Sequence, residues 1–247
     1  MNGQVSVIMP CRDAGPHLDA ALRSVWRQEQ PVHEVVLVDC ASSDDSAAIA
    51  ERHRAAGQPI RIVSAESLSP AAARNLAISA ASGNLLAFLD ADDLWPAGKL
   101  ARQLERLSGT PRVDMVSGYV RYFEAASPSG LEPAIESRTE TLFHVHLGAC
   151  IYHREAFERV GGRFDETLLY GEDVDLMLRV REAGVPFTIL RSVELFYRRH
   201  PASLMAQENP RQQSDFRLAT HKSSLRRRAA GTLATPLRDF ASYVEPQ

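Results

Sequence analysis

The sequence has little cysteine, no long apolar run and almost no net charge, and each absence excludes a class of protein. The three cysteines, Cys11, Cys40 and Cys150, have no C-x-x-C spacing. An odd, unpaired set fits a reducing compartment better than a disulfide scaffold. The apolar run at residues 5–9 is far shorter than the roughly 18 residues of a membrane span, and no basic segment precedes it as in a signal peptide. We therefore expect a cytoplasmic protein.

Positive charge is scarce over most of the chain and collects near its end. Residues 1–190 hold 18 Lys and Arg against 26 Asp and Glu, whereas residues 191–247 hold 10 against 5. The acidic body argues against nucleic acid as a partner, because affinity for a phosphate backbone comes from clustered basic residues. The basic tail, with Arg226, Arg227 and Arg228, has three interpretations. We favour a solvated helix end; the others are a contact with a partner protein and a peripheral contact with anionic lipid at the inner membrane face.

Apolar β-branched runs alternate with helical periodicity through the first 110 residues, which predicts βαβ units and a mainly parallel sheet. The expected strands are 5–9, 34–39, 60–63 and 85–89; the expected helices are 15–30, 42–57, 70–83 and one from Pro96. Further on, we expect strands at 113–123, 148–153, 187–190 and 193–199, and helices at 154–160, 172–183 and 210–228. The Ser, Pro, Gly and Glu-rich segment 124–138 is expected to be an exposed, mobile loop.

The pattern predicts one α/β domain in two parts, with a Rossmann-like, mainly parallel sheet flanked by helices. Residues 1–110 form a half of the nucleotide-binding type. Residues 111–205 form a second half expected to carry substrate specificity. Residues 206–247 form the basic tail.

Three carboxylates, Asp90, Asp92 and Asp93, directly follow an apolar strand. Side chains two residues apart in an extended segment point the same way, so Asp90 and Asp92 can converge at the carboxyl end of the strand. Open α/β sheets bind their ligands at this edge. A divalent cation that also holds a diphosphate would relieve the repulsion between the carboxylates. The alternative is a solvated turn or a helix cap.

A second acidic group, Glu172, Asp173 and Asp175, opens the helix at 172–183. The helix dipole favours acidic residues in a first turn, so an ordinary helix N-terminus is one interpretation. The other is a carboxylate at the edge of a cleft, acting as a general base toward an attacking hydroxyl. Asp39 and Arg74 are weaker candidates, suited to a nucleoside and a phosphate respectively, with a cap or a surface ion pair as the alternative.

The order of these motifs resembles that of family 2 inverting glycosyltransferases of the GT-A fold. The resemblance covers about residues 4–200. It rests on VSVIMP at 5–10, VDxxSxD at 38–44, ARNxA at 73–77, GxxxxFLDADD at 83–93, FDE at 164–166 and GEDxDL at 171–176.

The resemblance implies a role for each matching residue. Asp39 would bind the nucleobase, Arg74 the base or diphosphate, and Asp90 and Ala91 would lie along the ribose. Asp92 would ligate Mn²⁺ or Mg²⁺ bridging the diphosphate, with His200 near the metal. Asp173 would be the catalytic base, and Glu172 would orient the acceptor or the base.

The chain departs from the family pattern at the expected nucleotide site. Pro10 is followed by Cys11, Arg12 and Asp13, where relatives commonly have Thr-Tyr-Asn with the aromatic ring stacked on the base. A guanidinium plane such as that of Arg12 can also stack. Cys40 and Ala41 replace the usual Asp-Gly, so the donor nucleotide, UDP, GDP or dTDP, is not assigned.

The resemblance implies a metal-assisted inverting glycosyltransferase of polysaccharide or glycoconjugate biosynthesis. Residues 1–110 would bind the nucleotide-diphosphate sugar, and residues 111–205 would bind a saccharide or lipid-linked acceptor and supply the base. One alternative is a nucleotidyltransferase, although these commonly hold a triphosphate with a Gly-rich, basic loop that residues 10–13 do not provide. The other is a non-catalytic protein that binds sugar nucleotides.

Overall fold

The structure is a computed structural model that describes residues 3–66, 68–124, 126–127, 129–134, 140–142, 146–206 and 209–246. The strands are β1 (Val5–Cys11), β2 (Glu34–Cys40), β3 (Ile60–Ala65), β4 (Leu85–Phe88), β5 (Met115–Phe123), β6 (Glu140–Leu142), β7 (Ile151–His153) and β8 (Phe187–Arg198). The helices are α1 (Gly15–Trp26), α2 (Ser46–Ala55), α3 (Pro70–Ala80), α4 (Lys99–Ser108), α5 (Arg154–Arg159), α6 (Glu172–Glu182) and α7 (Arg211–Ala229).

All of these strands lie in one eight-stranded sheet in the order β3-β2-β1-β4-β7-β5-β6, with β8 paired along β5. Strands β1 to β4 are mutually parallel, as the alternation of strands and helices predicts. β7 then runs antiparallel to both β4 and β5, which joins the second half of the chain to the first within the same sheet.

Two apolar cores, one on each face of the sheet, hold the helices in place. Alternate residues of β1 point to opposite faces. Val7 and Met9 face the core formed with α1 and α4, whereas Ile8 faces the core formed with α3, α5 and α6. Because both faces of the sheet are buried, the sequences of the central strands are continuous apolar runs. The parallel strands therefore end at a common edge, where their polar residues meet.

The second half departs from the expected strand pattern. The two strands expected at 187–190 and 193–199 form the single strand β8, which carries extra residues opposite Ser117–Val120 of β5. Glycine at position 118 makes this possible, because a Cβ there would collide with the buried side chain of Glu194. The strand expected at 148–153 is a short helical turn, Leu147–Ala149, followed by β7. Helix α1 also ends at Trp26 rather than at 30.

The expected loop at 124–138 is only partly described. Ser127 N donates to the carbonyl of Glu132 at 2.7 Å. Arg27, which directly follows α1, donates to the Leu131 carbonyl at 3.0 Å and to the Glu132 carboxylate at 2.5 Å. Residues 125, 128 and 135–138 lie outside the described residues, and the mobility of the segment stays a prediction.

The polar helix expected at 210–228 is α7, and it packs against α6. Asp215 accepts hydrogen bonds from the backbone N–H groups of residues 169 and 170 at 2.9 and 3.3 Å. Arg226 pairs with Asp175 at 3.0 Å and with Glu182 at 2.7 Å. Arg227 bonds backbone carbonyls of residues 232, 233 and 235. The favoured interpretation of a solvated helix end is therefore wrong for Arg226, which is a structural ion-pair partner of α6.

Candidate active site

The residues expected to bind the nucleotide lie where β1 and β2 end. Cys11 is paired in register with Asp39 on the neighbouring strand. Asp39 is buried, and one of its carboxylate oxygens accepts a hydrogen bond from Ser42 N at 3.2 Å. Burial raises the pKa of the Cys11 thiol to about 12, so it is a neutral group rather than a nucleophile. Pro10 is half-buried, whereas the Arg12 side chain is 59% exposed at this edge.

The loops that follow β1 and β2 are hydrogen-bonded to each other. Asp13 N donates to Ser42 Oγ at 3.0 Å, and Ser43 N donates back to Asp13 Oδ1 at 2.8 Å. Asp44 accepts from Gly15 N at 2.7 Å. The Ser42 and Asp44 positions of the second motif therefore hold the loop that presents Arg12.

Arg74 of α3 connects the two acidic motifs. Its Nη2 donates to Asp90 Oδ1 at 2.6 Å, and its Nη1 donates to Glu172 Oε1 at 2.5 Å. The Arg74 side chain is only 7% exposed. Burial would raise the pKa of Asp90, but the guanidinium of Arg74 holds it below its usual value. The planar fork of arginine suits such a bridge, which ties the loop after β4 to the first turn of α6.

Asp173 and Glu172 begin α6 at the same edge of the sheet. Burial raises the pKa of Glu172 to about 6, against the opposing charge of Arg74. Burial likewise raises the pKa of Asp173, whose Oδ1 accepts from Val174 N at 2.7 Å. A proton acceptor works best when its pKa approaches the operating pH. Burial therefore distinguishes Asp173 from an ordinary surface carboxylate.

Asp92 and His200 are brought together although they are far apart in the chain. His200 Nε2 lies 2.9 Å from Asp92 Oδ2. Arg198, at the end of β8, bonds the loop that carries Asp92 twice: its Nε donates to the Asp92 carbonyl and its backbone N donates to Asp93 Oδ1, both at 2.8 Å. Burial and the charges of Arg198 and His200 lower the pKa of the neighbouring His17.

The donor atoms around the 90–93 loop suit a divalent cation. Carboxylate oxygens are the preferred ligands of Mg²⁺ and Mn²⁺, and imidazole binds many divalent metals. The 2.9 Å between Asp92 and His200 is compatible with two neighbouring ligands of one ion. A second set, Asp90, Asp93 and His146, has donor atoms within 4.8 Å of one another. Asp93 Oδ2 is buried with no hydrogen-bond partner among the described residues, so a positive ion would relieve this acidic cluster.

Three residues near the site had no role in the sequence interpretation, His17, His146 and Arg198, and a fourth, Asp93, was considered only as a member of the acidic motif. Asp93 was visible in the acidic motif, but nothing local showed that it is fully buried. His146 precedes β7, and it reaches Asp90 because β7 pairs with β4. His17 and Arg198 belong to no motif in the sequence. They are polar residues at the start of α1 and the end of β8.

Asn75 of the ARN motif and Phe164 of the FDE motif are hydrogen-bonded to each other. Asn75 Nδ2 donates to the Phe164 carbonyl at 3.0 Å and Asn75 Oδ1 accepts from Phe164 N at 2.7 Å. Asp165 forms an ion pair with Lys222 of α7. These contacts fix the segment that leads into α6.

Comparison with known proteins first defines the class. The fold is that of GT-A glycosyltransferases, shown by two solved structures at low sequence identity. Staphylococcus aureus TarS 1–349 in complex with UDP-GlcNAc has a TM-score of 0.75 and 18% identity, covering 97% of this chain and 69% of that one. The mannosyltransferase PcManGT from Pyrobaculum calidifontis, in complex with GDP-Man and Mn²⁺, has a TM-score of 0.64 and 19% identity, covering 98% and 78%.

The family follows from the sequence. Residues 6–161 match the model of glycosyl transferase family 2, and the chain belongs to that family. It is 27% identical over 215 residues to the uncharacterized glycosyltransferase EpsJ of Bacillus subtilis, covering 81% of this chain and 62% of EpsJ. It is 30% identical over 201 residues to the amylovoran biosynthesis glycosyltransferase AmsB of Erwinia amylovora, covering 75% and 66%.

The chain spans about half to two thirds of the length of the curated relatives it matches. Among the described residues, every helix is too short or too polar to cross a membrane.

Proposed function

We propose that the protein is an inverting glycosyltransferase that moves a sugar from a nucleotide-diphosphate donor to an acceptor hydroxyl, with Asp173 as general base. The observation that carries this proposal is the Arg74 bridge, which holds Glu172 at the start of α6 beside Asp90 of the loop after β4. The bridge sets the candidate base next to the candidate donor site. Family membership and the nucleotide sugars present in the structures of TarS and PcManGT support the same reaction.

The donor would lie along the carboxyl ends of β1, β2 and β4. Asp39 would accept a hydrogen bond from the nucleobase, and Arg12 would stack on it from the exposed side of the loop. Pro10, Cys11 and Ala91 would supply contact surface, and Asp90 would lie at the ribose. Two of the Arg74 N–H groups donate to Asp90 and Glu172. The contact of Arg74 with the base or diphosphate stays a prediction.

Asp92 and His200 would hold a divalent cation, Mn²⁺ or Mg²⁺. When bound, such an ion neutralises negative charge on a leaving diphosphate. PcManGT was solved with Mn²⁺, which supports a metal in the same fold. The residues of this chain contribute the carboxylate and imidazole donors and, through Arg198, the hydrogen bonds that orient Asp92.

The chemistry assigned to Asp173 is a single proton transfer. Its carboxylate takes the proton of the acceptor hydroxyl while the hydroxyl oxygen forms a bond to the anomeric carbon. The bond from that carbon to the diphosphate oxygen breaks, and the nucleoside diphosphate leaves. Attack and departure on opposite faces invert the anomeric centre. Glu172, held by Arg74, would keep the first turn of α6 oriented toward the acceptor.

The acceptor would be a saccharide or a lipid-linked saccharide in polysaccharide or glycoconjugate biosynthesis, consistent with the name of AmsB. In this proposal residues 1–110 bind the donor, residues 111–205 bind the acceptor, and the cytoplasm is the site of action. A lipid contact through the tail is not part of the proposal. Arg226 and Arg227 already have intramolecular partners, and a persuasive lipid-binding patch has about four to eight basic residues.

A panel of UDP-, GDP- and dTDP-sugars tests the reaction class. Release of a nucleoside diphosphate is expected from one donor, and the same panel assigns the nucleotide. Release of pyrophosphate from a nucleoside triphosphate and a sugar phosphate would instead indicate a nucleotidyltransferase. Binding without any turnover across acceptors would indicate a non-catalytic sugar-nucleotide-binding protein.

Asp173→Asn tests the base. Asparagine keeps the shape of the side chain and can cap a helix, but it cannot take a proton. Turnover should fall by about 10² to 10⁴, the usual contribution of a general base, while donor affinity and melting temperature change little. Near-normal turnover of a folded Asp173→Asn protein would assign Asp173 to helix capping and remove it from the mechanism.

Asp92→Ala tests the metal. We expect it to abolish the increase in nucleotide-diphosphate affinity that Mn²⁺ produces in the wild-type chain, without unfolding the protein. Calorimetric titration with and without EDTA measures this increase. Equal affinity of the wild-type chain in both conditions would exclude a metal contribution to donor binding.

A further inference from the structure

His17 lies against His200 although the two come from different elements. It is the third residue of α1, and its ring centroid lies 4.9 Å from that of His200, with the planes tilted by 53°. The next residue, Leu18, is fully buried in the core, as are Ala21 and Leu22 further along α1. The ring of His17 therefore projects from a firmly packed helix.

His200 has weaker local support. It lies two residues after Arg198, the last residue of β8, and begins a turn in which Ser203 N donates to the His200 carbonyl at 3.0 Å. Its imidazole contacts Asp92 through Nε2 on one side and the ring of His17 on another. A side chain on a turn has several rotamers available, so the ring it packs against decides which one is populated.

We propose that His17 is a positioning residue whose ring holds the imidazole of His200 with Nε2 directed at Asp92 Oδ2. The inference rests on the proposed function, in which Asp92 and His200 hold the divalent cation. His17 acts by packing against the ring of His200 and not as a ligand, and a flat ring without nitrogen atoms in its place tests this distinction. Outer groups that orient a ligand commonly change metal affinity by 10- to 100-fold, which gives packing at His17 a measurable consequence.

The experiment compares Mn²⁺ affinity in matched variants of the full chain, with free Mn²⁺ measured by electron paramagnetic resonance in the presence of UDP and, separately, GDP. His17→Ala should weaken Mn²⁺ binding by about 10- to 100-fold. His17→Phe keeps a flat ring without nitrogen atoms and should stay within about threefold of wild type. His221→Ala removes an exposed histidine of α7 and serves as the control, with no change expected.

A melting curve of each variant separates lost metal affinity from lost fold. His17→Leu keeps the bulk but not the flat ring, so it should be folded and weakened like His17→Ala; this variant decides the matter if the alanine variant is unstable. Wild-type affinity in both folded variants would overturn the inference. So would a His17→Phe protein as weak as His17→Ala, since a nitrogen atom would then be required. Asp92→Ala is measured in parallel: if it binds Mn²⁺ normally, the proposed metal role itself fails, which is a different result from a normal His17→Ala.

Discussion

Two arginines hold helix α6, each through a pair of carboxylates, and they differ in exposure. Arg74 of α3 bridges Glu172 in the first turn of α6 to Asp90, with 7% of its side chain exposed. Arg226 of α7 bridges Asp175 and Glu182 along the side of the same helix, with 34% of its side chain exposed. The Arg74 network lies among the candidate site residues, and the Arg226 network lies at the contact between α6 and α7.

The difference in burial between Arg74 and Arg226 indicates different roles for the two ion-pair networks. Taking charges out of water costs free energy that their attraction does not always offset, so buried ion pairs are weak devices for stability alone. We therefore interpret the buried Arg74 bridge as a device that fixes the position of the loop after β4 relative to the start of α6. Partly exposed pairs cost little to form and contribute little, which suits Arg226 as a brace for the tail helix.

The largest effect should come from breaking the buried bridge with Arg74→Met. This change removes the cation from the buried Glu172 and the half-buried Asp90, and losing one partner of a buried pair typically costs 3 to 5 kcal/mol. We expect about 3 kcal/mol, since the freed carboxyls can take up a proton. Urea unfolding of Arg74→Met and wild type measures the loss. A cost under about 1 kcal/mol would place Arg74 in the same class as Arg226.

A pH profile sharpens the same comparison. Burial raises the pKa of Glu172 to about 6 and raises that of Asp173 above its usual value, with Arg74 opposing both shifts. Lowering the pH protonates these carboxyls, and a protonated Asp173 cannot accept the acceptor's proton. Turnover should therefore fall on the acid side as Asp173 becomes protonated, by up to about tenfold per pH unit.

Arg74→Met provides the matched variant for that profile. Loss of the guanidinium removes the charge that lowers both pKa values, so the acid limb of its remaining activity should move to higher pH. Arg226→Met should leave the limb in place. An acid limb shared by all three proteins would show that neither Glu172 nor Asp173 controls it.

The smallest effect should come from Arg226→Met. Asp175 keeps Arg179 at 2.9 Å and Glu182 keeps Ser223, so no carboxylate loses its last partner. We expect a loss of about 1 kcal/mol in low salt, shrinking as salt screens the exposed pair. Urea unfolding at low and high salt measures this difference. A loss that does not depend on salt would assign the effect to lost packing of the arginine stem against α6.

Local patterns in the sequence were enough to predict the helices and strands of the first half. The i, i+3, i+4 stripe of Leu18, Ala21 and Leu22 predicted α1, and the apolar runs predicted β1 to β4, because helix and strand periodicity are local properties. The position of Asp90 and Asp92 after a strand, and of Asp173 at the start of a helix, was readable for the same reason. The family resemblance, confirmed by the match over residues 6–161, indicated in addition which motifs belong to one site.

Which of these groups contact one another depends on the folded chain. Arg74 and Glu172 are 98 residues apart, and Asp92 and His200 are 108 apart. His146 reaches Asp90 because β7 pairs with β4, and β8 stays continuous because Gly118 leaves room for Glu194. Burial of Asp93 and the shifted pKa of Glu172 likewise depend on neighbours from distant segments. Contacts, desolvation and charge pairing are properties of the folded chain, because they are set by atoms that only the packing of both sheet faces brings within a few ångströms.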